Sequence, residues 1–374
     1  MKEQCMRYIC TGCHKEQPVN PDRYRCECGG LFSLSFDKTA PDFSQTAYAA
    51  ERSLWKYANA LPPIDQQIVH ETTMGEGGTP LISLGTHLWG KADYYMPTLS
   101  FKDRGAVVLV AAMRGMGVRR CVIDSSGNAA TAVAAYCTRV GIDCEVFVPA
   151  HTSAKKIEQI EAHGAVVHRI PGTREATADA AIAHVEKTGA FYASHIFNPL
   201  FWEGTKTYLY ELFEQFGGAL PDLLVLPVGN GTLLMGVALA LMELKEWGLV
   251  DRFPLVIAVQ AANCAPLAAA YLAGSLVVHE VPSKPTLAEG IASARPARGA
   301  EILQAMHLMG GRFVTVSEED ILASRDALAR KGVYVELTSA ANHAGYLAAL
   351  REDAQLGLLD AVVPLCGAGL KSAH

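Results

Sequence analysis

From Arg119 onward, short apolar runs alternate with helix-forming stretches, and this alternation restricts the fold more than any other feature of the chain. A strand over 120–124 leads through Ser125-Ser126-Gly127-Asn128 into a helix over 129–139. A strand over 144–149, a helix over 153–163 and a strand over 165–170 follow. The pattern resumes with a strand over 223–228, the turn Gly229-Asn230-Gly231-Thr232-Leu233 and an apolar helix. It continues with strands over 255–260 and 313–316, a helix over 321–330 and a strand over 361–365. Strands separated by helices predict an α/β fold with parallel sheets, in which ligands bind where strands end and helices begin. At 374 residues the chain is long enough for two such cores and a small appendage.

Two turns occupy those ligand-binding ends. The amides and hydroxyls of Ser125-Ser126-Gly127-Asn128 suit a carboxylate at a helix N-terminus, with the Asn128 amide left to bond a ring substituent. The plainer alternative is an ordinary N-cap turn. Gly229 through Leu233 follow a strand and open a helix, the arrangement that makes a phosphate cradle from backbone N–H groups. The turn has neither the Lys-Ser/Thr ending of a P-loop nor a complete GxGxxG, so it suits a single small phosphate better than a nucleotide. Pro227 and the glycines divide the apolar stretch 223–244 into strand, turn and helix, which predicts core and not a membrane span.

Pro97-Thr98-Leu99-Ser100-Phe101-Lys102-Asp103-Arg104-Gly105 holds one lysine just before Ala106–Met113, a run apolar and Ala-rich enough to be a buried helix. Burial and the helix N-terminal field both favour the free amine over the ammonium, and such an amine condenses with an aldehyde. The alternative is a surface lysine in a Lys-Asp-Arg cluster. Before this stretch, Gly75-Glu76-Gly77-Gly78-Thr79-Pro80-Leu81 reads as a loop entering a short strand over 81–84.

The first forty residues carry Cys10-x-x-Cys13 and, twelve residues on, Cys26-x-Cys28-Gly-Gly. Two close thiol pairs read as a tetrahedral zinc site of ribbon type, structural because four protein ligands leave no position open for substrate. The second pair is one residue shorter than usual, so Cys5 or His14 stands as an alternative ligand; clustered free thiols are the competing reading. Cys121, Cys137, Cys144 and Cys264 are expected in the core. A net charge of −6 without Lys/Arg clusters excludes a phosphate-backbone binder and leaves a small molecule as the partner. The opening Met1–Cys5 has no secretory character, which predicts a cytoplasmic protein.

In their order along the chain, these motifs resemble threonine synthase and its fold type II pyridoxal-phosphate relatives. They are the cysteine ribbon, Ser53-Leu54-Trp55-Lys56-Tyr57, Gly75–Leu81, Pro97–Gly105, Ser125–Asn128, Asn198-Pro199 with Glu203-Gly204-Thr205-Lys206-Thr207, and Gly229–Leu233. The resemblance covers essentially the whole chain. It implies a two-domain fold like the tryptophan synthase β subunit: a ribbon over 1–40, a large cofactor domain over 41–104 and 200–374, and a smaller α/β domain over 105–199. It implies that Lys102 holds pyridoxal phosphate in Schiff-base linkage and moves protons. Asn128 would bond the cofactor's 3′-oxygen, and Gly229, Asn230, Gly231, Thr232 and Leu233 its phosphate. Thr98, Ser125 and Ser126 would touch the amino-acid substrate, with Arg104, Asn198 and Lys206 as candidates for the substrate's phosphate. A homodimer is also implied.

Two positions depart from the family pattern. Cys366 stands where Ser or Thr usually meets the pyridine nitrogen, so a neutral thiol there makes a weaker electron sink than a carboxylate pairing would. Leu99 stands where glycine is common, a change that reshapes the substrate pocket. The expected activity is conversion of O-phosphohomoserine and water to L-threonine and phosphate. The alternatives are a β-elimination or β-replacement enzyme, such as a serine/threonine dehydratase or a cysteate-synthase-like enzyme, and a catalytically inactive zinc-ribbon binding protein.

Overall fold

In the computed structural model, which describes residues 6–44 and 51–371, the apolar runs form two mainly parallel sheets, each inside its own compact unit. The first unit contains the described residues up to Gly77 together with Lys102–Thr205. Its sheet orders the strands Val166–Ile170, Asp143–Pro149, Arg120–Ile123 and Phe191–Tyr192, all parallel. The ribbon is a separate antiparallel sheet in which Arg7–Cys10 lies between Glu16–Pro18 and Phe32–Ser35. Tyr8 and Phe32 stack at 4.5 Å in its small core, with Cys10 and Cys26.

The second unit contains Gly78–Phe101 and the described residues from Lys206 on. Its six strands run in the order Arg312–Val316, Leu255–Ala261, Leu223–Pro227, Ala361–Pro364, Leu88–Lys91 and Leu81–Gly85. Every neighbouring pair is parallel except the last, a hairpin that closes one edge. The three central runs are buried at nearly every position, as strands covered on both faces must be. Leu337–Glu352 packs across this sheet and is buried on nearly all sides. That close approach needs Gly345, where an added Cβ would lie 2.4 Å from Val259.

These boundaries differ from the expected ones, which assigned all of 41–104 to the large domain. Glu76 supplies the physical reason. Its buried carboxylate accepts from Trp55 Nε1 (3.0 Å), Thr73 Oγ1 (2.9 Å), Met74 N (2.8 Å) and Tyr136 OH (3.0 Å). It thereby ties the Ser53–Tyr57 segment to the helix Asn128–Val140 of the first unit. Burial pushes the Glu76 carboxyl above the usual carboxylate range despite those four donors. Two residues on, Gly78 N and Thr79 N donate to Glu211 (2.8 and 3.3 Å), which also pairs with the buried Lys91 ammonium at 2.6 Å in the second unit. The chain therefore passes between units at Gly77/Gly78, Phe101/Lys102 and Thr205/Lys206, each time inside a motif singled out from sequence. Among the described residues no helix is long and apolar enough to cross a membrane.

Candidate active site

The candidate residues fall in both units. In the first, Lys102 is the opening residue of the helix Lys102–Gly115, whose positions 103–113 are all buried, while Lys102 itself is half-buried. Its Nζ lies 5.6 Å from the centroid of the Phe201 ring. The helix Leu200–Thr205 comes unusually close here because both contact surfaces are glycine: a Cβ on Gly105 would lie 2.3 Å from Phe201, and one on Gly204 would lie 2.0 Å from the Arg104 carbonyl oxygen. Arg104 is fully buried on the same helix.

The turn before Asn128 opens a helix with no side-chain cap, because Gly127 occupies the N-cap. The first N–H groups of that helix have no intrahelical acceptor, so an anion is well placed there. Ser125 is buried and accepts from Gly127 N at 3.4 Å. A Cβ at Gly127 would meet nothing within 4 Å, so the space over the turn is open within this unit. Asn198 spends its side-chain oxygen on Leu200 N (3.0 Å), capping the short helix that carries Phe201.

In the second unit, the strand Leu223–Pro227 runs into Gly229-Asn230-Gly231 and the helix Thr232–Glu246. The close approach at Gly229 admits no side chain: a Cβ would sit 2.9 Å from Ile291 Cα. Gly231 has φ +74, and its Cβ would lie 2.5 Å from Ile302. Asn230 is held by Ser293 Oγ, which donates to its side-chain oxygen at 2.8 Å. Bare glycine backbone followed by the uncapped first turn of a fifteen-residue helix is a cradle that fits a phosphate monoester.

Cys366 is fully buried just beyond the strand Ala361–Pro364. The Asn342 amide donates to its Sγ (3.7 Å) and to Pro364 O (2.9 Å), and Ser339 Oγ accepts from Gly367 N at 3.2 Å. The segment 98–101 runs beside this strand end: Phe101 N donates to Cys366 O (2.8 Å), Ala368 N to Leu99 O (3.1 Å) and Lys371 Nζ to Thr98 O (2.6 Å). Leu99 has φ +63, the left-handed region. That explains why glycine suits this position, and holding leucine there costs about 1–2 kcal/mol.

Lys206, expected among the substrate-phosphate candidates, is fully buried and pairs with Glu243 at 3.0 Å. Tyr210 OH donates to the same carboxylate. A buried ammonium needs such a partner, and this pair already neutralises the charge that a substrate phosphate would use.

Sequence reasoning missed His195 and Asn342. His195 is buried, 5.8 Å from Phe201 ring to ring, and its Nδ1 has no hydrogen-bond partner among the described residues. Burial first, then the charges of Lys102 and Arg174, hold its imidazole well below the ordinary range, so it is neutral in the fold. Burial and Lys331 push His343, on Leu337–Glu352, down to about 4. Between 6.5 and that value the unfolded chain binds the proton and the fold refuses it. Stability therefore falls as pH drops below about 6.5, for His343 by about 1.4 kcal/mol per unit until about pH 4. Denaturant titrations from pH 8 to 4 should show His343→Leu removing about 3 kcal/mol of that total dependence. A wild-type-minus-variant difference that stays flat with pH overturns the assignment.

The described ribbon brings all four expected cysteines together, with Sγ atoms within 4.8 Å of one another. Cys10–Cys28 is 3.5 Å and Cys13–Cys26 is 3.7 Å. A tetrahedral ion with sulfurs at about 2.3 Å spaces them by about 3.8 Å, so the set fits zinc. Gly30 is required, since its Cβ would lie 2.6 Å from Cys10 Sγ. His14 is exposed and stands outside this cluster; Cys5 lies outside the described residues.

The family model for "Pyridoxal-phosphate dependent enzyme" matches residues 72–367. The chain belongs to that family. It is 30% identical to threonine synthase of Methanocaldococcus jannaschii, over 94% of this chain and 88% of the relative. It is 32% identical to that of Methanosarcina acetivorans (94% and 87%) and 34% to that of Mycobacterium bovis (84% and 87%). Among solved structures, the processed threonine deaminase isoform 2 of Solanum lycopersicum superposes with TM-score 0.70 at 22% identity, covering 89% of this chain and 87% of that one. Maize serine racemase gives 0.67 at 21% (88% and 94%), and T.th. threonine deaminase 0.63 at 28% (87% and 97%). The fold is that of the type II pyridoxal-phosphate enzymes, and the protein is a pyridoxal-phosphate-dependent enzyme.

Proposed function

We propose that the chain is a threonine synthase, converting O-phosphohomoserine and water to L-threonine and phosphate. The observation that carries this reading is identity of 30–34% to threonine synthases across most of the chain, beginning with those that match 94% of it. Lys102 would hold pyridoxal phosphate, with Asn128 at its 3′-oxygen, Gly229–Leu233 around its phosphate and Cys366 at its ring nitrogen. The bound cofactor supplies an electron sink that makes protons near the substrate's α-carbon removable.

Once released by substrate, the Lys102 amine takes and returns protons at successive substrate carbons, for which an amine that stays in the site is required. Ser125 and Ser126, before an uncapped helix, orient the substrate carboxylate, and Thr98 borders the site beside strained Leu99. Arg104 and Asn198 remain candidates for the substrate phosphate, although Asn198 already caps a helix with its oxygen. Asn342, by donating to Cys366 Sγ, directs the thiol proton away from itself and so orients the thiol as a donor to the ring.

A second reading is a serine/threonine dehydratase, favoured by the two departures at Leu99 and Cys366 and by 28% identity to T.th. threonine deaminase. Incubation with O-phosphohomoserine separates the two. Release of phosphate with equimolar threonine supports the first reading, and 2-oxobutyrate formed from threonine without phosphate release replaces it with the second.

The reading includes a cytoplasmic homodimer and one structural zinc on Cys10, Cys13, Cys26 and Cys28. One zinc per chain is expected in purified protein. Its loss in Cys13→Ser should lower the melting temperature by several degrees while cofactor absorbance persists. Zinc content unchanged in that variant sinks the ligand assignment.

A further inference from the structure

The first unit contains a second sulfur cluster that the proposed reaction does not use. Cys121 lies on the strand Arg120–Ile123 and Cys144 on Asp143–Pro149, and the two are direct partners in the parallel register, so their side chains leave the sheet on one face. Cys137 comes from the helix Asn128–Val140 and reaches that face. The three Sγ atoms lie within 4.8 Å of one another, with Cys121–Cys137 at 3.6 Å. Cys121 and Cys137 are wholly buried, and Cys144 is 5% exposed.

We propose that Cys121, Cys137 and Cys144 form a trithiolate site for a trivalent thiophilic metalloid, the chemistry of arsenite. Three sulfurs bonded at about 2.3 Å, the length of a zinc–thiolate bond, are spaced by roughly 3.3–4 Å in going from a pyramidal to a planar centre; Cys121–Cys137 at 3.6 Å lies in that range, and the other two pairs lie within 4.8 Å. Charge selects the ion. Three thiolates carry −3, and a monovalent or divalent ion leaves a net charge of −2 or −1 buried without water, which is costly. A trivalent centre makes the complex neutral.

Binding is a condensation without redox change. Each As–OH bond of arsenous acid is replaced by an As–S bond, and each thiol proton leaves with the departing hydroxyl as water, three waters in all. Because the sulfurs are buried, uptake requires a transient opening of the helix Asn128–Val140. The bound centre would staple that helix, which begins at Asn128, to two strands of its sheet.

The test uses the full chain with cofactor, reduced with a phosphine so that no competing thiol is present. A Cys13→Ser/Cys28→Ser background leaves two of the ribbon's four clustered thiols, too few for a three-sulfur centre there. After incubation with arsenite and desalting, one arsenic per chain is expected, with three sulfur neighbours by X-ray absorption and a raised melting temperature. Cys137→Ala, which extends an alanine-rich helix, and Cys144→Ala each should lower retention at least tenfold. If both variants misfold, the X-ray absorption count on the parent protein decides alone. No retained arsenic, fewer than three sulfur neighbours, equal retention in folded Cys137→Ala, or retention of added zinc in place of arsenic overturns the proposal.

Discussion

Lys102→Ala is expected to lower turnover by at least about a thousandfold, because one side chain serves both as the anchor of the cofactor and as the base that must act more than once. Its position at the first turn of a helix buried from 103 to 113 means that no other amine of the first unit's Lys-Asp-Arg turn can replace it. Arg104 is fully buried and holds a guanidinium, which stays protonated and does not condense with aldehydes. Borohydride reduction followed by intact mass should fix pyridoxal phosphate on the wild type and not on the variant. Lys102→Arg keeps the charge without the nucleophile and should fail in the same way. Substantial turnover in either variant, with the fold intact by circular dichroism, would falsify the role given to Lys102.

Gly204→Ala is expected to cost about 3 kcal/mol or more. The new Cβ would lie 2.0 Å from the Arg104 carbonyl oxygen, 2.7 Å from its carbon and 2.8 Å from Gly105 Cα. All three are backbone atoms, so no side chain can swing aside and the two helices must separate. The helix that moves begins with Lys102, so activity should fall with stability. Gly127→Ala is the control for stability: its Cβ meets nothing within 4 Å and its φ of −125° is open to any residue. Denaturant midpoints should therefore drop sharply for Gly204→Ala and stay within about 0.5 kcal/mol for Gly127→Ala. A Gly204→Ala protein as stable as wild type would show that the helix crossing is looser than described.

Several elements follow from local sequence with errors of a residue or two. The strands Arg120–Ile123, Asp143–Pro149, Leu223–Pro227 and Leu255–Ala261, and the turns that follow the first and third, sit where the apolar runs and glycines require them. Leu337–Glu352 was not legible. Its run of Ala, Ser, Asn, His and Gly shows no apolar face because it is buried on nearly every side, so no helical period separates inside from outside. With it went Asn342 and Ser339, which hold the Cys366 loop. His195 was equally hidden, a single histidine among apolar residues that gains meaning only from its burial beside Phe201.

The sequence by itself determined the α/β class, the Lys102 turn, the glycine cradle and the four-cysteine ribbon, since each rests on residue types at short spacing where local sterics and hydrogen bonding dominate. Only the tertiary structure decided the rest. It divided the Gly75–Leu81 motif between Glu76 of one unit and Gly78–Thr79 of the other, and it satisfied Lys206 with Glu243 thirty-seven residues away. It also brought Cys121, Cys137 and Cys144 to one face of a sheet. These outcomes depend on buried charges and polar groups finding partners far along the chain, and the energy of such a pairing has no signature in either partner's local sequence.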